Sequence, residues 1–442
     1  MINETIVLLV YYYHPEDGRH KILKHVTDRY CGAYLPFDTY LGGPLQQIFS
    51  RVVIYDYMKR RVEVGREAMN KEVLELVRKE RPKYVLWVSF YDDIKPSTLS
   101  ALRREGSKVV GWYFDDEWRF DEYSRYWVPY LDYCVTNAIE AVPKYAELGG
   151  RVIQTVPNTG VAVAHDWSQP EKYDVSFVGT RSYGDRDKWI GELQRRNIPV
   201  RRFGLGFEGG YVTFEDMLDI FASSKINLNF SRAGMHPVRQ IKGRVFQACM
   251  AGGFVLTEYT PGLEKYFEIG KEIVCFNSPE EMADKIVYYL GHDEERRAIA
   301  RAGWQKATSR YTSTHMVADV FARAEQDTAP APAGNSTVAS QPDWSKFTRA
   351  MLSNYNFQWG RALLEERERD GRWKEDLKAS LAYRPWNPLA RYYYIAGHLP
   401  SPLQPPLFWL CRTGERAYWG GLIRGANAKQ KLVKALTGKG KE

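Results

Sequence analysis

The stretch DVSFVGTRSYGDRDKWIGELQRR, residues 174–196, decides the fold. Residues 175–178 form an apolar run of strand length, residues 179–181 read as a turn, and residues 185–195 carry apolar side chains at helical spacing. The same rhythm continues downstream, where residues 200–204, 226–230, 254–257 and 273–276 predict strands. Residues 214–223, 245–250, 279–289 and 294–307 predict the helices between them. Upstream, strands are expected at residues 6–13, 52–55, 84–90, 108–114, 131–136 and 152–156, with helices at 70–79 and 96–104. Strands alternating with helices make parallel sheets, and two such series in one chain predict two open sheets. Ligands of open sheets sit beyond the carboxyl ends of the strands, so two sheets placed face to face enclose a cleft.

The expected fold class is therefore α/β: two Rossmann-like domains facing across a cleft, plus a mostly helical C-terminal extension. Residues 1–165 are expected to form the first domain and residues 166–327 the second. Residues 328–342 contain Ala, Pro, Gly, Ser and Thr without a charged side chain, the composition of a flexible linker. Residues 343–442 form the extension, with Trp344, Phe347, Met351 and Tyr355 at helical spacing and a basic end that includes Arg416, Arg424, Lys429 and Lys434.

Composition narrows the function. The chain has 442 residues, 44% hydrophobic and 26% charged, which suits a globular protein of two or three domains. Cys31, Cys134, Cys249, Cys275 and Cys411 are odd in number and lack metal-ligand spacing, which fits a reducing cytoplasm. The first residues lack a basic start and cleavage site, and no long uninterrupted apolar run occurs, so neither a signal peptide nor a membrane span is expected. A net charge of +8 with mixed signs suits an anionic ligand without demanding nucleic acid. P-loop, zinc-protease and serine-hydrolase motifs are absent from the sequence.

Two segments carry candidate chemistry in the second series. Gly179, Thr180 and Arg181, with Gly184, Asp185 and Arg186 after them, form a turn at a helix N-terminus. Backbone N–H groups there suit a phosphate, or serve only the turn. Residues 231–253 read SRAGMHPVRQIKGRVFQACMAGG. Arg232, Arg239, Lys242 and Arg244 gather before an apolar helix, either as a pyrophosphate pocket or as a solvated basic loop. Gly243 and Gly252-Gly253 permit close backbone approach, and His236 lies within reach of a phosphate or sugar.

From Val175 to about Tyr311 the sequence resembles the group 1 glycosyltransferases of GT-B fold, especially the branch of CgeB-like spore-maturation proteins. The matching stretches are residues 177–179, 242–253, 256–258, 261–264, 267–272 and 278–282, with 294–303 resembling the closing pattern. The resemblance implies a nucleoside-diphosphate sugar as donor, UDP- or GDP-linked, and no obligatory metal. The diphosphate would meet Arg181, Lys242 and Arg244, the ribose would approach Gln247 or Glu258, and Thr257 adjoins them. One departure stands out. Many members carry two glutamates eight positions apart, where this chain has Arg239 and Gln247. Gln247 can hydrogen-bond a ribose hydroxyl but is no carboxylate, which leaves the stereochemical outcome open.

The first domain supplies the acceptor side. Asp115, Asp116 and Glu117 follow a strand at its ligand-binding end. Repulsion among them raises at least one pKa and makes a general base, unless they only cap a helix. Asp92 with Asp93 is a second candidate pair, and His14 a third site. Sugar transfer to a glycan or lipid-linked acceptor is the expected activity. The alternative is a degenerate cleft that binds sugar or nucleic acid without catalysis. The basic tail, with Trp409, Tyr418 and Trp419, would meet an anionic membrane surface, cap the cleft or make a homodimer.

Overall fold

The structure, a computed structural model, describes residues 1–10, 38–89, 91–157, 159–181, 186–204, 206–233, 238–328, 342–365, 371–399, 404 and 408. His14, Cys31, Phe90, Gly184, Asp185, His236, Cys411, residues 329–341 and the basic tail lie outside the described residues.

Two sheets form, and every strand pairing within them is parallel. The first contains β1 (Ile2–Val10), β2 (Phe49–Asp56), β3 (Tyr84–Val88), β4 (Lys108–Trp112), β5 (Tyr133–Thr136) and β6 (Val152–Gln154), in the order β2-β1-β3-β4-β5-β6. The second contains β7 (Tyr173–Val178), β8 (Arg201–Phe203), β9 (Ser224–Asn229), β10 (Val255–Glu258) and β11 (Val274–Phe276), in the order β11-β10-β9-β7-β8. Both sheets start at an inner strand, step outward once and then run the other way. The order therefore reverses between β1 and β3 in one sheet and between β7 and β9 in the other. Such a reversal opens a crevice at the strands' carboxyl ends.

Burial follows the pattern that parallel sheets require. All five residues of β3 are buried, as expected when helices cover both faces. On β7 the period of two sorts Val175 and Phe177 into one apolar cluster and Val178 into the cluster on the opposite face. Helix starts are chemically marked: Thr213 and Asp216 form a capping box ahead of Phe214–Ala222, and Ser278 caps Pro279–Leu290.

Two later elements belong to the first core. The helix Ser313–Gln326 follows the second sheet in sequence, yet its Met316, Val317, Val320 and Phe321 pack into the cluster beneath the first sheet. Phe321 meets Phe49 edge-on at 4.8 Å. The C-terminal helices Lys346–Glu365, Trp373–Tyr383 and Pro388–Ala396 join that cluster through Leu352, Tyr355, Trp359, Trp373, Leu377 and Tyr393.

Asp92 and Asp93 dock these C-terminal helices through a buried polar network. The Arg61 guanidinium, 0% exposed, donates to Asp93 and Asp376, and to Asn356 at 3.1 Å. Arg66 pairs with Asp92 at 2.7 Å, where the Tyr383 hydroxyl also donates at 2.7 Å. The Tyr355 hydroxyl lies 3.0 Å from both Asp93 oxygens, and its ring stacks on Tyr91 at 4.0 Å. Burial pushes the Asp93 and Asp376 carboxyls up, while Arg61 opposes that shift in each. The two carboxyls thus serve the joint between the first domain and the extension.

Arg61→Ala would leave Asp93 and Asp376 without their cation. The expected cost is about 3–5 kcal/mol, read as a lower midpoint in denaturant unfolding. The penalty should shrink in acid, because the orphaned carboxyls then take up protons.

Candidate functional site

The carboxyl ends of the two sheets meet. Tyr40 reaches from the first domain to Gln247, whose Nε2 donates to its hydroxyl at 2.9 Å, and its ring meets Phe214 edge-on at 5.8 Å. Gly262, at φ 94°, lies against Ile139: a Cβ there would stand 2.6 Å from Ile139 Cδ1. Gln154 donates to the Tyr266 hydroxyl at 2.7 Å.

Basic groups converge at the start of the helix Gly243–Met250. Lys242 is its N-cap and supplies no side-chain cap, so the first-turn N–H groups are not taken by that residue. Lys242 and Arg244 are half-buried. Burial pushes the Lys242 ammonium down to about 8, Arg244 adds to the effect, Asp115 and Glu117 oppose it, and Arg186 reinforces it. These five charged groups therefore share one electrostatic site. Arg186 is 2% exposed, places its guanidinium 5.1 Å from the Phe177 ring and donates to the Thr180 carbonyl. Arg181 faces outward, paired with Asp187 at 3.2 Å. Of the two arginines in that turn, Arg186 is the one brought to Lys242.

Gly179 holds the end of β7 against the next turn. Its N–H donates to Phe203 O at 2.9 Å, and a Cβ on Gly204, at φ 110°, would stand 2.2 Å from Gly179 O. The glycine pair after the basic helix has another task. A Cβ on Gly252 would meet His165 at 2.3 Å and one on Gly253 would meet Asn227 at 2.4 Å, so the pair packs the helix C-terminus. An eight-residue helix is about 12 Å long, which separates that pair from the basic N-terminus.

Three other sequence candidates are bound to neighbours. Glu258, 6% exposed, accepts from Ser231 N at 2.9 Å and Ser231 Oγ at 2.7 Å, and its other oxygen lies 3.2 Å from Arg239 Nε. Arg239 and Glu258 thus offset each other. Thr257 accepts from Asn229 Nδ2 at 2.9 Å.

Across from the basic group stands the turn after β4. Asp115 takes a left-handed backbone, φ 62°, and makes no side-chain cap for the short helix Asp116–Arg119. Asp116, 2% exposed, accepts from Ser124 Oγ and from the Tyr145 hydroxyl at 2.8 Å, so it is a structural carboxyl inside the first domain. Asp115 and Glu117 meet the second domain: Gln240 Nε2 donates to Asp115 Oδ1 at 2.7 Å and to Glu117 Oε2 at 3.0 Å. Burial pushes Glu117 up to about 8, with repulsion from Asp115, Glu140 and Asp116 adding to it. A carboxyl with its midpoint there can exchange a proton slightly above neutral pH.

Sequence reasoning missed Tyr40 and Gln240. Neither stands in a recognisable motif, and each acquires its place only when the domains come together. Among the described residues, no three His, Cys, Asp or Glu side chains gather as a metal-binding group.

With this geometry the comparisons can be placed. Residues 181–322 match the model of a family described as glycosyl transferase-like. No curated protein matches the chain. Among solved structures, Anabaena HepE in complex with UDP and glucose is similar at 12% identity and a TM-score of 0.48, over 74% of this chain and 100% of that one. A glycosyltransferase from Rickettsia africae is similar at 11% identity and a TM-score of 0.46, over 73% and 98%. Staphylococcus aureus TarM, in complex with Fondaparinux, alpha-GlcNAc-glycerol and UDP, is similar at 10% identity and a TM-score of 0.42, over 58% of each chain.

The Glu117 midpoint sets a stability trend. Between its ordinary value of 4.5 and about 8 the folded chain holds a proton that the unfolded chain has lost, so stability falls as pH rises through that window. Glu117→Gln should flatten the fall by an amount on the order of a few kcal/mol, read from unfolding midpoints across the window.

Proposed function

We propose that this protein is a glycosyltransferase that moves a sugar from a nucleoside-diphosphate donor, UDP- or GDP-linked, to a hydroxyl of a glycan or lipid-linked acceptor. One observation carries the reading. A basic pocket at a helix N-terminus, within the segment 181–322 that matches a glycosyl transferase-like family, faces a carboxyl with a raised midpoint on the other sheet.

The chemistry assigns roles to both walls. Lys242, Arg244, Arg186 and the first-turn N–H groups of Gly243–Met250 hold the diphosphate and stabilise the charge that collects on it as the glycosidic bond breaks. Gln247, oriented by Tyr40, offers its amide to the ribose. Glu117 takes the proton of the acceptor hydroxyl as it attacks, and Asp115 beside it keeps the local field negative. The reaction is hexosyl or related transfer, and the cations here supply the charge that a metal provides elsewhere. Closure of the cleft excludes water, which would otherwise consume the donor. No helix among the described residues is long and apolar enough to cross a membrane. The basic C-terminal segment would bring the enzyme to an anionic surface that carries lipid-linked acceptors.

Thermal unfolding with UDP and with GDP tests the donor site. A ligand at a hundredfold excess over its Kd adds about 2.7 kcal/mol of stability, so at least one of the two should raise the melting temperature. Arg244→Ala should abolish the rise, and a wild-type chain unmoved by both nucleotides would contradict the proposal. Glu117→Gln should keep the rise yet lose roughly 10²–10⁴-fold in transfer rate.

A second outcome concerns pH. A bound diphosphate favours the charged ammonium of Lys242, so binding takes up a proton above the free midpoint of about 8. Nucleotide affinity should therefore fall as pH climbs past that value, measured by titration calorimetry in buffers of different ionisation enthalpy.

A further inference from the structure

Gln240 is touched by both charged walls. It is 7% exposed, and its backbone N–H donates to Ser231 O at 2.9 Å beside the Arg232–Arg239 bridge. Its side chain has one acceptor and two donor hydrogens, and all three are engaged. Oε1 accepts from Lys242 Nζ, while Nε2 donates to Asp115 Oδ1 at 2.7 Å and to Glu117 Oε2 at 3.0 Å. The orientation of the amide follows from chemistry. An ammonium only donates, so the oxygen must face Lys242, which leaves the nitrogen for the carboxylates.

Asp115 completes the geometry. Its left-handed backbone and missing cap bond leave the carboxylate free of its own helix and available to the opposite domain. The Asp116 carboxyl, one residue on, is turned inward to Ser124 and Tyr145. The turn thus presents its first and third carboxyls outward and its second inward, and a single amide spans the outward two.

We propose, resting on the glycosyl-transfer reading, that Gln240 is a positioning residue that holds the Glu117 and Asp115 carboxyls in register with the phosphate-binding Lys242. It acts through its neighbours. The base is aligned only when the second domain delivers Gln240, so cleft closure and readiness of the base are a single event. The N–H donated to Glu117 favours its ionised form and opposes burial, so loss of that bond moves the carboxyl further up. The other groups around Glu117 are Asp115 and Asp116 on its own turn, Glu140 on the turn Ile139–Ala141, Asn137 donating at 3.3 Å, and Lys242 across the cleft. Gln240→Met preserves length and volume while removing both donors and the acceptor, and it changes none of these groups.

The test is a carbon-13 titration of the Glu117 side-chain carboxyl in the full chain, assigned by comparison with Glu117→Gln. Gln240→Met should move the midpoint upward by about one pH unit. It should leave intact the rise in melting temperature given by UDP or GDP, because Gln240 holds carboxyls and not phosphate. An unchanged or lowered midpoint would overturn the inference, as would loss of the nucleotide response with the midpoint unmoved. Should Gln240→Met fail to fold, Gln240→Asn, whose shorter amide cannot span both carboxyls, should give the same upward shift. A wild-type chain that responds to neither nucleotide sinks the transfer reading, while the titration still judges Gln240 alone.

Discussion

Opposite charges held face to face in a partly buried cleft are the constraint on which the rest of this structure turns. Lys242, Arg244 and Arg186 come from the second domain, Asp115 and Glu117 from the first, and the two carboxyls oppose the shift that burial imposes on Lys242. The compensation is partial: both Lys242 and Glu117 are displaced to about 8, from opposite sides. A lysine and a carboxyl so placed sit close to the point where each changes charge. An arriving diphosphate favours the charged lysine and, as a like charge, strengthens the nearby carboxyl as a base. The electrostatics of the cleft thereby suit it to an anionic ligand.

The placement of these groups follows from topology. Both sheets reverse their strand order next to their first strand, between β1 and β3 and between β7 and β9. The second reversal puts the ends of β7 and β9 on either side of a crevice. Gly179, Thr180 and Arg186 come from one lip, and Ser231, with the segment that leads to Lys242, from the other. The first sheet answers with the turn after β4 and with Tyr40. The C-terminal helices do more than follow the second domain. They complete the first domain's core and are fastened by Arg61, Asp92, Asp93 and Asp376, so the first domain and the extension share one core.

Local pattern made much of this architecture legible. Apolar runs such as Tyr84–Val88 and the helix Pro96–Arg104 are announced by their own side chains, because a strand buried on both faces has little alternative composition. The basic cluster around Gly243 was equally visible, since four cations within thirteen residues stand out from their surroundings. What stayed hidden depends on contacts distant in sequence. Asp92-Asp93 and Asp115-Asp116-Glu117 look alike as acidic runs at strand ends, and only the fold sends one pair to Arg61 and Arg66 and opens the other to the cleft. Gln240 and Tyr40 carry no local signal, because an amide or a phenol becomes informative only beside the groups it joins. The glycine pair at 252–253 suggested phosphate approach, yet it packs against His165 and Asn227 at the far end of the helix.

The most direct test of this account is a crystal structure of the full chain grown with saturating UDP or GDP. The account predicts two phosphates against the first turn of Gly243–Met250, within hydrogen-bond distance of Lys242 and Arg244, with Glu117 facing them across the cleft. Phosphates bound elsewhere on the chain, with Lys242 still turned to Gln240, would contradict it.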